Sequence, residues 1–287
     1  MIQDIFPEKL DNHYVHQAPD ADGRILVFRE GKLLVRHDGD TGDLIYPMRK
    51  EFPPDFSAVY LFSVGGMKFF LAMDPEAVPE GYAWYSMPEL RMLKRSSNVP
   101  VLAAYTGWHL WKWYGTSRYC GACGAKTEFD TAERAMTCPV CGNKIYPRIN
   151  PAVIVGVTNG EKIVLTRYKV GYGHNALVAG FTEIGETAEE TVSREVMEEI
   201  GLKVKNIRYY KSQPWGIASD ILMGFYCDVD GDPVIRRDDS ELKYAEWVER
   251  KDIELQPTDD SLTNEMMKVF RDEGYKGTIR NGNRNQE

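Results

Sequence analysis

The chain has 287 residues, a formal net charge of −8 at neutral pH and an isoelectric point near 5.3. That length carries two ordinary domains and a small insert, and the acidic balance excludes a general nucleic-acid or membrane-surface binder, which would show a basic footprint. No run approaches the length of a membrane span and the start, MIQDIFPEKLDNHY, holds no apolar signal core, so a soluble, cytoplasmic protein is expected.

Residues 1 to about 95 read as strands. RILVFREGKLLVRH and SAVYLFSVGGMKFFLAMD each set a glycine turn between two apolar runs and predict two hairpins of a β-rich first domain, placed at 1–115. The acidic DGDTGD reads as a solvated turn, because it lacks the later glutamate and the flanking helices of a calcium loop. VPVLAAYTGWHLWKWYGT is apolar almost all round, with Trp108, Trp111 and Trp113. It predicts a helix buried against protein in preference to an aromatic platform for nucleobases.

Four of the five cysteines form two CxxC pairs, Cys120 with Cys123 and Cys138 with Cys141. Each pair makes a tight knuckle with its sulfurs turned inward, and two knuckles supply four thiolates to a tetrahedral Zn²⁺ at about 2.3 Å. Four thiolates fill the coordination shell, so this zinc is structural. Two unrelated redox pairs would need a βαβ context that the flanking sequence lacks. Lys126, Arg134, Lys144 and Arg148 give this ribbon, placed at 116–147, a modest basic count and leave RNA binding as its rival reading. Cys227, in the apolar run ILMGFYCDV, is read as a small core residue.

PAVIVGVTNGEKIVLTRY predicts two strands around a turn, and NALVAGF leads into a helix. KVGYGH between them lacks the Lys-Ser/Thr ending of a phosphate loop and reads as a flexible connection, with His174 at the surface. In GFTEIGETAEETVSREVMEEIGL, Thr187 and Glu190 form a capping box and Gly201 suits the left-handed C′ position, which predicts a helix of about 13 residues from Ala188. Ala188, Val192, Val196 and Ile200 make its buried stripe, while Glu195, Glu198 and Glu199 share another face. Like charges at that spacing repel by a few tenths of a kcal/mol per pair, so a converging cluster wants a shared cation, and oxygen ligands suit a hard ion such as Mg²⁺. The bland alternative is a solvated face in which Arg194 pairs with Glu198 or braces the loop carrying Glu186. Beyond lie strands KVKNIRYYKSQPW and ILMGFYCDV, a strand or loop through ELKYAEWVE, a helix near SLTNEMMKVFRDE, and a frayed polar tail at 276–287.

The segment from Gly180 matches G-x5-E-x7-R-E-U-x-E-E-x-G-U, with U apolar, at every specified position and resembles a Nudix box. The resemblance implies an α+β fold, with an α/β/α Nudix sandwich around a mixed sheet at 148–275. It further implies that Mg²⁺ or Mn²⁺ is held by Glu195, Glu198, Glu199, Glu241 and the carbonyl of Ala179. Glu199 would double as base for the attacking water, and Gly180, Glu186, Arg194 and Gly201 would shape the loop and helix. The ribbon immediately upstream, YPR followed by PAVIV, and SQPW at Ser212–Trp215 make residues 100 to 270 similar to the NAD(H) pyrophosphatases of this superfamily. That implies cleavage of NADH or NAD⁺ to nicotinamide mononucleotide and AMP in a homodimer, with NAD-capped RNA as a further substrate of some members. Gln213, Pro214, Trp215, Tyr146, Glu133, Phe181, Arg91, Ser219, Asp220 and Thr263 would line the dinucleotide site. The family continues Pro-Phe-Pro after SQPW, whereas Gly216, Ile217 and Ala218 stand here, which predicts a looser loop with a different face. The competing readings are a Nudix hydrolase for ADP-ribose or a dinucleoside polyphosphate, and a zinc-ribbon RNA-binding or nucleotide-sensing module.

Overall fold

The computed structural model describes residues 1–73, 75–171 and 173–279, so Tyr172 of the KVGYGH connection and residues 280–287 of the expected tail lie outside the described residues. The chain divides into two compact units: residues 2–148 with 216–219, and Met1 with 149–215 and 220–287.

The N-terminal unit carries β1 (Leu10–Asp11), β2 (Arg24–Leu26), β3 (Phe28–Arg29), β4 (Lys32–His37), β5 (Leu44–Ile45), β6 (Ala58–Val64), β7 (Met67–Ala72) and β8 (Ala83–Ser86). One sheet has the order β1-β6-β7-β2, and in the other β4 pairs with β3, β5 and β8. The β6–β7 hairpin forms as expected, turning at Gly65 and Gly66, both at positive φ. The first expected hairpin forms only in part. β3 and β4 pair across Glu30 and Gly31, but β2 leaves to run parallel with β7. Ile25, Leu26, Val27 and Phe28 are all buried, so this run has no polar face to hold it in a single sheet.

Two helices follow, α1 (Met87–Met92) and α2 (Val99–Thr116). The aromatic residues of α2 meet protein: Tyr105, Trp113 and Tyr114 are buried, and Phe28 stacks on Trp111 at 5.2 Å and meets Trp108 edge-on at 5.8 Å. The ribbon strands β9 (Glu128–Phe129), β10 (Met136–Thr137) and β11 (Lys144–Ile145) form an antiparallel sheet with β10 central. Tyr14 donates to the carbonyl of Asp130 at 3.0 Å, and Arg134 reaches back to the carbonyls of Asn12 and Leu61, so the ribbon is bonded to the β-rich part of its own unit.

The C-terminal unit contains β12 (Asn150–Asn159), β13 (Lys162–Tyr168), β14 (Val178–Phe181), α3 (Ala188–Ile200), β15 (Val204–Trp215), β16 (Asp220–Val229), β17 (Leu242–Glu249), α4 (Leu262–Glu273) and α5 (Tyr275–Thr278). Its sheet has the order β15-β16-β12-β13-β17 with β14 added to β12, and it is mixed because β12 and β16 run parallel. Alternation along β12 builds two cores. Val153, Val155 and Val157 join the stripe Val192, Val196 and Ile200 of α3, while Ala152 and Ile154 join Leu262, Met266 and Phe270 of α4. Helices thus cover both faces, the sandwich expected from the sequence. Cys227 is fully buried in the first of these cores. ELKYAEWVE resolves as a strand, and residues 276–278, expected in the tail, are helical. Gly277 and Thr278 are buried in α5, where Arg208 donates to Thr278 Oγ1 at 3.3 Å.

Candidate active site

Thr187 and Glu190 cap α3 reciprocally: Glu190 N–H donates to Thr187 Oγ1 at 3.2 Å, and Thr187 N–H to Glu190 Oε2 at 2.8 Å. At the other end Gly201 sits at φ 67° and donates its N–H to the carbonyl of Met197. These local stops fix which helix face carries each glutamate.

Arg194 is the hub of that face. Its Nε and Nη2 grip the two oxygens of Glu186 at 2.6 and 2.9 Å, and Nη2 also reaches the carbonyl of Phe181 at 2.9 Å. The guanidinium, with the N–H of Glu183 and the Thr191 hydroxyl, holds the Glu186 carboxyl down to about 2. Nη1 takes one oxygen of Glu195 at 2.7 Å and one of Glu198 at 2.9 Å. The glutamates therefore share a face without closing on one point. Among the described residues, the four ribbon cysteines are the only set of three or more Cys, His, Asp or Glu whose ligand atoms lie within 4.8 Å of one another.

Glu199 behaves differently. It is 3% exposed, its Oε1 accepts from the Tyr168 hydroxyl at 2.9 Å, and its Oε2 is buried with no hydrogen-bond partner. Burial pushes its carboxyl up to about 8, with Glu195 and Glu241 adding to the shift and the Tyr168 hydroxyl and Ala179 N–H opposing it. Burial raises Glu195 as well, against the pull of Arg194 and with Glu198 and Glu241 reinforcing.

Gly180 is required where it stands, because a Cβ there would overlap the Glu195 carboxylate. An orphaned buried carboxylate oxygen, a glycine cradle and an excess of oxygen anions fit a hard divalent cation. Gly180→Ala should displace Glu195 and cut metal-dependent turnover about 10²-fold while the melting temperature stays within a few degrees; wild-type turnover in that variant would remove Glu195 from the site.

The other residues expected at the site divide between the units. Phe181 is exposed at the end of β14, Trp215 is half-buried against the α4-side core, Pro214 is exposed, and Thr263 is half-buried in the first turn of α4. Asp220 is buried and accepts from Asn150 Nδ2 at 3.5 Å. Gln213 offers no surface to a ligand. It is fully buried, donates to the carbonyl of Asp260 at 2.7 Å and accepts the N–H of Leu262 at 2.7 Å, stapling the start of α4. Tyr146, Glu133, Arg91 and Ser219 belong to the N-terminal unit, where Tyr146 donates to Glu133 at 3.1 Å and Arg91 is buried in α1.

The segment after SQPW is not loose. A Cβ at Gly216 would overlap the carbonyl of Tyr105, Trp108 Nε1 donates to the carbonyl of Ile217 at 3.2 Å, and Ser219 N–H closes a turn onto the carbonyl of Gly216. Close approach of backbone to α2 replaces the stiffness of the missing prolines. Sequence reading missed Tyr168; its one signal is its place at the end of β13, one strand ahead of the β14 that leads into the box.

In the ribbon the two knuckles are copies of each other. Cys120 N–H bonds the carbonyl of Ala125 and Gly124 N–H that of Cys120, while Cys138 N–H bonds Asn143 and Gly142 N–H bonds Cys138. Gly124 and Gly142 take φ 75° and 74°. Cross-pair sulfur separations of 3.6 Å (Cys120–Cys141) and 3.5 Å (Cys123–Cys138) match the roughly 3.8 Å edge of a tetrahedron with 2.3 Å Zn–S bonds. Backbone N–H groups lower the Cys120 and Cys138 thiols, while hydrogen bonds among the neighbouring sulfurs raise those of Cys123 and Cys141.

The profile of the NUDIX domain matches residues 148–270, and that of the NADH pyrophosphatase zinc ribbon domain matches 116–146. Among curated relatives, an NAD-capped RNA hydrolase NudC of Photorhabdus laumondii is 35% identical over 183 residues, covering 63% of this chain and 71% of that one. Another of the same name from Pseudomonas syringae pv. tomato is 33% identical over 203 residues, 70% and 72% of the two chains. One from Shigella boydii is 39% identical over 177 residues, 60% and 67%. The two profiles contain the cysteine knuckles and the glutamate helix, and with these relatives the chain belongs to the Nudix hydrolases, in the zinc-ribbon-bearing NAD(H) pyrophosphatase family.

Proposed function

We propose that this protein hydrolyses the pyrophosphate bond of NADH or NAD⁺ to nicotinamide mononucleotide and AMP, and acts likewise on RNA carrying an NAD cap. The observation that carries this reading is Glu199, a buried carboxylate with an unpartnered oxygen on the same helix as Glu195 and Glu198. Glu195, Glu198, Glu199, Glu241 and the Ala179 carbonyl would hold Mg²⁺ or Mn²⁺, which when bound offsets phosphate charge and acidifies a water ligand. Glu199 Oε2, which Tyr168 does not engage, is the atom open to the ion or to a proton of the attacking water. Arg194 and Glu186 keep the loop and helix in register, and the exposed ring of Phe181 and the half-buried ring of Trp215 offer faces to a planar base. Reduced zinc thiolates suit a cytoplasmic setting, and family resemblance supports a homodimer.

The RNA-binding reading of the ribbon loses two of its four cations. Arg134 is spent on backbone carbonyls, and Lys144 lies between Asp130 and Glu133. RNA is better read as a carrier of the cap than as a ligand of the ribbon.

The test is turnover of NADH, NAD⁺, ADP-ribose, a diadenosine polyphosphate and NAD-capped RNA with Mg²⁺ or Mn²⁺, with products identified. The reading expects nicotinamide mononucleotide and AMP from the free dinucleotides and a 5′-monophosphate end from the RNA. Faster turnover of ADP-ribose than of NADH would replace it by the ADP-ribose reading.

A further inference from the structure

We propose that Tyr168 is a positioning residue for the glutamate site, holding Glu199 in the arrangement that receives the divalent ion. The inference rests on the metal-dependent reading given above and adds a residue that neither the box nor SQPW contains.

The Tyr168 hydroxyl lies 2.9 Å from Glu199 Oε1 and 3.4 Å from the carbonyl oxygen of Ala179, so one phenol touches two of the candidate ligands, one on α3 and one on β14. A phenol has a single proton to give, and the shorter contact to the carboxylate takes it. That donation commits Oε1 and leaves Oε2, buried and unpartnered, as the oxygen available to an ion.

The strand is built to aim this side chain. β13 pairs in regular register with β17 from Lys162 to Arg167, then the pairing shifts between Arg167 and Tyr168, so that Tyr168 opposes Leu242. Such a bulge re-aims a side chain. The tyrosine ring packs against the α3-side core, which fixes its orientation. The next residue continues the brace: Lys169 N–H donates to the carbonyl of Glu241 at 2.9 Å, seating the segment that carries a further candidate ligand. The end of β13 therefore contacts two of the groups expected around the ion, and the residue after it bonds the backbone of a third.

A plainer reading is that a half-buried tyrosine needs an acceptor and Glu199 supplies it. The two differ in what removal of the hydroxyl does to the metal. Tyr168→Phe keeps the ring in the core. The test measures Mn²⁺ binding by electron paramagnetic resonance without substrate, kcat and KM for NADH at saturating Mn²⁺, and the melting temperature and zinc content as controls of fold. The expected result is Mn²⁺ affinity weaker by about 10- to 100-fold and a lowered kcat, with KM, zinc content and melting temperature little changed. Mn²⁺ affinity within twofold of wild type would overturn the proposal. A second variant pair guards the conclusion. In a Glu199→Gln background, Tyr168→Phe should weaken Mn²⁺ binding no further, since the hydroxyl acts through Glu199, and additive losses would overturn the proposal as well. Failure of wild-type protein to bind Mn²⁺ or to hydrolyse any dinucleotide would remove the functional reading itself, and an active wild type with an unaffected Tyr168→Phe removes only this inference.

Discussion

Glu199→Gln will lose about 10²- to 10⁴-fold in turnover and will not lose stability. The two halves of that expectation have one cause. In the folded chain Glu199 is 3% exposed with Oε2 unpartnered, so its ionised form is held away from water with less than its full set of donors. Such a group costs folding energy and persists because its unmet capacity to accept is what an ion or a proton in transit uses. Glutamine keeps the shape and can still accept from Tyr168 through its carbonyl, yet it carries no charge to bind a cation and takes no proton from water. Replacing this carboxyl by an amide should leave the metal-free protein at least as stable, with the gain growing as pH rises from the ordinary carboxyl range to about 8. Kinetics with NADH and Mn²⁺, set beside thermal melts without added divalent ion, check both halves. Near-wild-type turnover would mean that another group is the base. Clear destabilisation would mean that the carboxylate makes bonds that its amide cannot.

Cys120→Ser will release zinc and destabilise the N-terminal unit more than any single apolar substitution in it. Structural zinc contributes on the order of 10–16 kcal/mol of apparent binding energy in small ribbon-like peptides, and the strands here, of two residues each, bury too little to fold unaided. The loss should spread beyond the ribbon. Arg134 is a cation with Nη1 buried and without a partner, held through Nη2 by the carbonyls of Asn12 and Leu61, and Tyr14 bonds the carbonyl of Asp130. Once the knuckles open, those groups lose their fixed positions and the β-rich part loses its bonds to the ribbon. Zinc content by atomic absorption and the melting profile read this directly. Unchanged zinc in the variant would refute the four-cysteine site.

The elements that carry the chemistry were legible because their determinants are local. The capping box at Thr187, the glycine at position 201, the four-residue stripe and the knuckle spacing of the cysteines act within a turn or two of chain, where backbone geometry leaves few solutions. The same local rules misjudged RILVFREGKLLVRH. Its apolar run is buried all round, and neighbouring strands, not its own pattern, decide which sheet each half joins.

By itself the sequence determined the four-cysteine cluster and the capped helix that carries the glutamates, and through its resemblance the mixed sheet with a helix on each face. Only the tertiary structure decided that Arg194 bonds both Glu195 and Glu198, that Tyr168 reaches Glu199 across 31 residues of chain, and that Gln213 staples α4. It also decided that Gly216 lets the segment after SQPW lie against the backbone of α2. Each of these joins residues far apart in sequence through strand register and close packing, which arise from the sum of many weak contacts and leave no mark on any single stretch of chain.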